Sequence, residues 1–161
     1  MLFSLGLFAL LSIILSHPEA SRASDAPQEC VRLAAPPWEG GLPLDAVESE
    51  KAIDACQRAL REDPDDARLL FLLGRSHHAA DDFAQALEFY GRSAEQGYDS
   101  AQNNLGSVYF LGHGVAQSDE LAAKWYAAAA EHGNPPAQSS LGFMYAQGRG
   151  VPQDDELAVK W

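Results

Sequence analysis

Positive charge is scarce in this chain. Its 161 residues hold 11 Lys and Arg against 23 Asp and Glu, a formal charge of −12. That balance excludes nucleic-acid binding by phosphate neutralisation and sets the surface against anionic membranes. Cysteine is nearly absent: Cys30 and Cys56 are too few for a disulfide-dense scaffold or a cysteine zinc site, and enough for one bridge. No Ser, Cys or acid has a base in a recognisable nucleophilic or paired-carboxylate arrangement. His77 and His78 are adjacent, so they diverge on a helix instead of sharing a face as a His-x3-His metal pair would. The two Gly-x-Gly stretches, Gly112 to Gly114 and Gly148 to Gly150, lack the Gly-Lys-Ser/Thr ending of a phosphate loop. No enzyme activity, metal site or cofactor is expected. The remaining composition, 47% hydrophobic and 21% charged, suits one compact unit or a short stack of repeats.

The longest apolar run, residues 1–15, carries no charged side chain and is shorter than the roughly 20 residues of a membrane span. It is followed by His17-Pro18 and by the small residues Ser21 and Ala23 around Arg22, which reads as a signal peptide over residues 1–23, cleaved after Ala23. Export to the periplasm or the exterior is therefore expected, with no stable membrane insertion after cleavage. Tethering through an uncleaved segment is the alternative.

Residues 101–115 and 137–151 carry the same pattern at an offset of 36, and the match continues through Asp119-Glu120-Leu121-Ala122 with Asp155-Glu156-Leu157-Ala158, then Lys124-Trp125 with Lys160-Trp161. A period of that length means stacked supersecondary units, none able to bury its apolar face alone. Apolar residues recur at helical spacing twice per period, predicting two helices each. The Gly-x-Gly stretch ends the first helix, Ser118 and Asp154 cap the second, and Gly97 and Gly133 close it. Gly106 and Gly142 fall inside a first helix, where glycine costs about 1 kcal/mol relative to alanine. That placement predicts close approach by the partner helix. A shorter unit precedes these two, with Phe89-Tyr90 standing 36 residues before Trp125-Tyr126 but Gly74 only 32 before Gly106.

The pattern Ala-x3-Leu-Gly-x2-Tyr-x2-Gly-x-Gly-Val, followed by Asp-x4-Ala and Trp, resembles the Sel-1-like repeat of the tetratricopeptide superfamily. Ala116 replaces the proline seen at Pro152. The resemblance implies an all-α fold, a right-handed superhelical α-solenoid of antiparallel helix pairs, serving as a scaffold for protein or peptide partners. The expected division is a Pro/Gly-rich cap over 24–44, tetratricopeptide-like units over 45–100, one Sel-1-like repeat over 101–136 and an incomplete one over 137–161. Within the first of these, residues 30–44 are expected to be irregular. The alternative reading is the accessory repeat region of a larger enzyme or receptor.

In two-helix repeats the first helices line the concave surface. The positions flanking each first-helix glycine and pointing away from the second helix are Arg68, Phe71, Arg75 and His78, then Ser100, Asn103, Ser107 and Phe110, then Pro136, Ser139, Phe143 and Ala146. Two bases, aromatics and small hydroxyls suit an extended peptide. Asn103 and Phe110, two turns apart on one face, are the expected centre of binding. Cys56 falls at the core position of Tyr90 and Tyr126, and Cys30 lies near the head of the Pro-rich cap, so export predicts a Cys30–Cys56 disulfide.

Overall fold

The computed structural model describes residues 25–39 and 41–161, so the signal segment expected over 1–23 lies outside the described residues. Its elements are helices joined by turns. α1 spans Ala26–Ala34, α2 Ser49–Leu60, α3 Ala67–Ala79, α4 Phe83–Glu95, α5 Asp99–Leu111, α6 Asp119–Glu131, α7 Pro135–Gln147 and α8 Asp155–Lys160; 3-10 turns lie at Pro37–Glu39 and Leu44–Ala46. Sequential helices pack as antiparallel pairs, α1 with α2, α3 with α4, α5 with α6 and α7 with α8, and each pair stacks on the next. The fold is an all-helical α-solenoid. Residues 26–34, of which Cys30 to Ala34 fall in the segment expected to be irregular, are helical, because Pro27 occupies the first turn where no amide partner is needed.

Helix boundaries follow from local chemistry. Ser118 and Asp154 accept from the amides of Leu121 and Leu157, as Asp66, Asp82 and Asn134 do for Leu69, Gln85 and Ala137. α5 and α7 end at Gly112 and Gly148, both left-handed, at φ 74° and 62°.

The glycines inside first helices are contact points. A Cβ on Gly74 would lie 2.7 Å from the Tyr90 ring, and one on Gly106 would lie 2.6 Å from the Tyr126 ring. The ring of each second helix thus rests on bare backbone of the first. In the N-terminal pair the same place is held by Cys30 and Cys56, joined by a disulfide across α1 and α2 with both residues fully buried.

The pairs are coupled through the Gly-x-Gly loops. A Cβ on Gly114 would meet the Phe83 Cβ at 2.5 Å, and one on Gly150 would meet the Asp119 carbonyl oxygen at 2.1 Å. Phe83 and Asp119 are the first residues of α4 and α6, so each loop seats its second glycine on the second helix of the pair before it.

Candidate functional site

The first helices touch one another, α1 on α3 and α5 on α7, which places them on the inner side of the stack. Over α3 that side is filled by the chain itself. Arg75 is only 4% exposed and donates from Nε to the carbonyl of Ala34 at 2.8 Å and from Nη2 to that of Leu42 at 2.7 Å. Arg68 donates to Glu39 Oε2 at 3.1 and 2.8 Å, and the Tyr98 hydroxyl to Glu39 Oε1 at 3.1 Å. Phe71 is fully buried between Tyr90 and Tyr98, with ring centroids 6.0 and 5.2 Å away.

These contacts correct the sequence reading. Neither Phe71 nor Arg75 is available to a partner, because Tyr90 and Tyr98 enclose the Phe71 ring and the carbonyls of Ala34 and Leu42 take the Arg75 guanidinium. Arg68 is exposed but spent on Glu39. Asn103, expected as the central amide clamp, is 7% exposed and packs into α5 with its amide toward Asn104 Oδ1.

Between α5 and α7 the inner side is open. A groove of about 470 Å³ is lined by Phe110, Tyr126, Ser139, Ser140, Phe143 and Arg149. Phe110 and Phe143 meet edge to face with centroids 6.4 Å apart, and Phe143 remains 49% exposed. The Arg149 guanidinium lies 4.2 Å above the centre of the Phe110 ring. It is oriented by Asp119, accepting from Nε at 2.9 Å and Nη2 at 2.7 Å. Those hydrogen bonds hold the Asp119 carboxyl below the usual carboxylate range and raise Arg149, so both stay ionised at neutral pH. At the floor Ser107 Oγ and Tyr126 OH share a hydrogen bond of 3.0 Å, and burial pushes the Tyr126 phenol up. Of the expected inner-face residues, this groove brings together Phe110, Ser139 and Phe143, with Ser107 beneath. Tyr126, Ser140 and Arg149 were not among them.

A second hollow of about 370 Å³ lies one unit earlier, lined by Leu44, Asp45, His78, Ala79, Asp81, Phe83 and His113. His78 belongs here, 5.4 Å from Phe83 and 5.7 Å from His113 between ring centroids. The two hollows share two repeat positions in their linings, His78 with Phe110 and His113 with Arg149. His78, Phe83 and His113 stand at the repeat positions of Phe110, Asp119 and Arg149, so the residue between the two loop glycines reaches back over the preceding pair in both. Burial first, then the neighbouring His113 and Arg75, depress the His78 pKa, with Asp81 opposing. Among the described residues no cluster of three or more His, Cys, Asp or Glu is arranged to hold a metal ion. Among them, too, no helix is long and apolar enough to cross a membrane.

The chain matches the Sel1 repeat over residues 99–134 and 135–161, and a tetratricopeptide repeat over residues 48–106. It is similar to the solved Sel1 repeat protein from Oxalobacter formigenes, at 32% identity and a TM-score of 0.62, covering 67% of this chain and 84% of that one. It is also similar to a protective antigen present in uropathogenic Escherichia coli strains displaying an SLR fold, at 28% identity and a TM-score of 0.71. That alignment covers 89% of this chain and 30% of the antigen, so the chain spans under a third of its length. No curated protein matches.

Proposed function

Because the chain belongs to the Sel1 repeat family, whose helical-repeat fold is commonly a protein-interaction scaffold, we propose that it is an exported, non-catalytic scaffold that grips an extended segment of a protein partner. The site is the groove between α5 and α7. One observation carries this reading: the inner side over α3 is packed by the chain's own N-terminal segment, whereas over α5 and α7 it is an open, aromatic-walled groove with Phe143 half exposed. A peptide strand entering it would bury apolar surface against Phe110 and Phe143 and find hydroxyl partners at Ser139 and Ser140. The uncharged run over residues 1–15 and the Cys30–Cys56 disulfide support an oxidising destination. We assign residues 1–23 to a signal peptide, 24–44 to an N-terminal cap, 45–100 to tetratricopeptide-like units, and 101–136 and 137–161 to Sel1 repeats.

The test is selection of random displayed peptides on the full chain with its disulfide intact, counter-selected on Phe143→Ala. Phe143 is exposed enough that its truncation leaves the stack folded, which circular dichroism checks. Peptides enriched on the wild-type chain and not on Phe143→Ala are expected. Equal enrichment on both would refute the groove.

A further inference from the structure

The filled inner side over α3 shows how this stack holds main-chain carbonyls, and the open groove differs from it in ways that select a partner. We infer that the α5–α7 groove takes a basic segment: one main-chain carbonyl on Arg149, one aromatic or large aliphatic side chain in the Phe110–Phe143 cleft, and Lys or Arg on either side. This rests on the groove reading above and adds the chemistry of the occupant.

Three observations lead there. First, the buried guanidinium of the filled side serves neutral oxygens. Arg75 donates to the main-chain carbonyls of Ala34 and Leu42 and forms no ion pair among the described residues. Second, Arg149 is already neutralised. Its Nε and Nη2 are committed to Asp119, and among the described residues Nη1 makes no hydrogen bond, so what it still offers is a donor beside a satisfied charge. A carbonyl suits such a donor. A carboxylate from a partner would have to approach within reach of the Asp119 charge, which costs affinity. Third, the surroundings are acidic. Residues 99–161 hold seven acids against three bases, one of them Arg149 itself, and the chain as a whole carries −12. That field steers basic segments in and acidic ones away. The cleft between the two phenyl rings, already edge to face, supplies the apolar anchor that charge alone does not.

The experiment is fluorescence anisotropy of the full chain, disulfide intact, with three labelled amidated peptides. One has a central Phe between Lys pairs, one replaces the Phe by Ala, and one replaces each Lys by Glu. The Lys–Phe peptide is expected to bind, and to bind more weakly in about 0.15 M salt than at low ionic strength. The Ala peptide should lose tenfold or more, and the Glu peptide should not bind. Phe143→Ala, and independently Ser139→Trp, which fills the groove from an exposed position, should each cost the Lys–Phe peptide tenfold or more. Equal binding of the Phe and Ala peptides would mean attraction by net charge alone and overturns the inference. Binding of the Glu peptide as tight as that of the Lys peptide overturns it too. If none of the three binds while displayed peptides still enrich through Phe143, the partner chemistry is wrong and the groove stands; if neither experiment finds binding, both fall.

Discussion

Replacing Gly106 by alanine tests whether the inner glycines are there for space. On an exposed helix the change would stabilise, since alanine is favoured over glycine by about 1 kcal/mol. At Gly106 the added Cβ meets three atoms of the Tyr126 ring at 2.6, 2.7 and 3.0 Å, distances at which something has to move. The ring is buried and pinned at its far end by the 3.0 Å hydrogen bond to Ser107. Overpacking of this kind costs about 1 to 3 kcal/mol, and a loosened Tyr126–Ser107 hydrogen bond adds about 0.5 to 1.5 kcal/mol. Set against the helix gain, Gly106→Ala should lower stability by about 0.5 to 3.5 kcal/mol. The control is Gly91, inside α4, where a Cβ would meet nothing within 4 Å. Gly91→Ala should therefore raise stability by about 0.5 to 1 kcal/mol. Urea unfolding followed by helical ellipticity measures both. Opposite signs are expected; if both substitutions stabilise, the close approach at Gly106 is not a constraint and the packing argument fails.

Replacing Cys30 and Cys56 by alanine should cost about 3 to 4 kcal/mol in the chain-entropy account for a loop of 26 residues, measured by urea midpoints with and without reductant. An unchanged midpoint would show that α1 holds its place without the bridge. Acidification should weaken the junction around His78. Its folded pKa is depressed, so below the ordinary histidine value near 6.5 the unfolded chain binds more protons than the folded one and stability falls with pH. The groups facing it are Tyr90, whose hydroxyl lies 3.5 Å from its Nδ1, His113, Arg75 and Asp81, with Asp45 across the hollow. Thermal melts between pH 7.5 and 5.5 should show a loss that His78→Phe removes, and an identical loss in the variant would refute the assignment.

The repeat architecture was legible because period, caps and glycines are local signals. An offset of 36 residues, Ser118 and Asp154 before a helix, and glycines at fixed places each constrain one element at a time. The groove was legible only in part. Phe110, Ser139 and Phe143 follow from counting along a first helix. Arg149 lies in a loop, and it joins the groove because that loop folds back onto the helix pair before it. The signal was available in the alignment, where His113 and Arg149 are the differing residues between matched glycines. The misplacement of Arg75 has another cause. Counting positions assumes that nothing lies on the inner side, and nothing periodic in residues 34–42 announces that they occupy it.

The ring-on-glycine contact has a bearing on how such a chain can be lengthened. In three pairs the same crossing point is fixed, by Tyr90 on Gly74, by Tyr126 on Gly106 and by the Cys30–Cys56 bond, while the residues separating the two partners number 16, 20 and 26 in position. Because register is held at the crossing and not by the connection, the connection is free to vary. Closing a longer loop adds little, about 0.6 kcal/mol for each doubling. The connections are therefore where insertions can accumulate without unstacking the helices, and in the N-terminal pair one such extension already wraps back over α3. A graft of foreign sequence between Gly112 and Ser118, leaving Gly114 on Phe83, would hang a new recognition element from an otherwise unaltered stack.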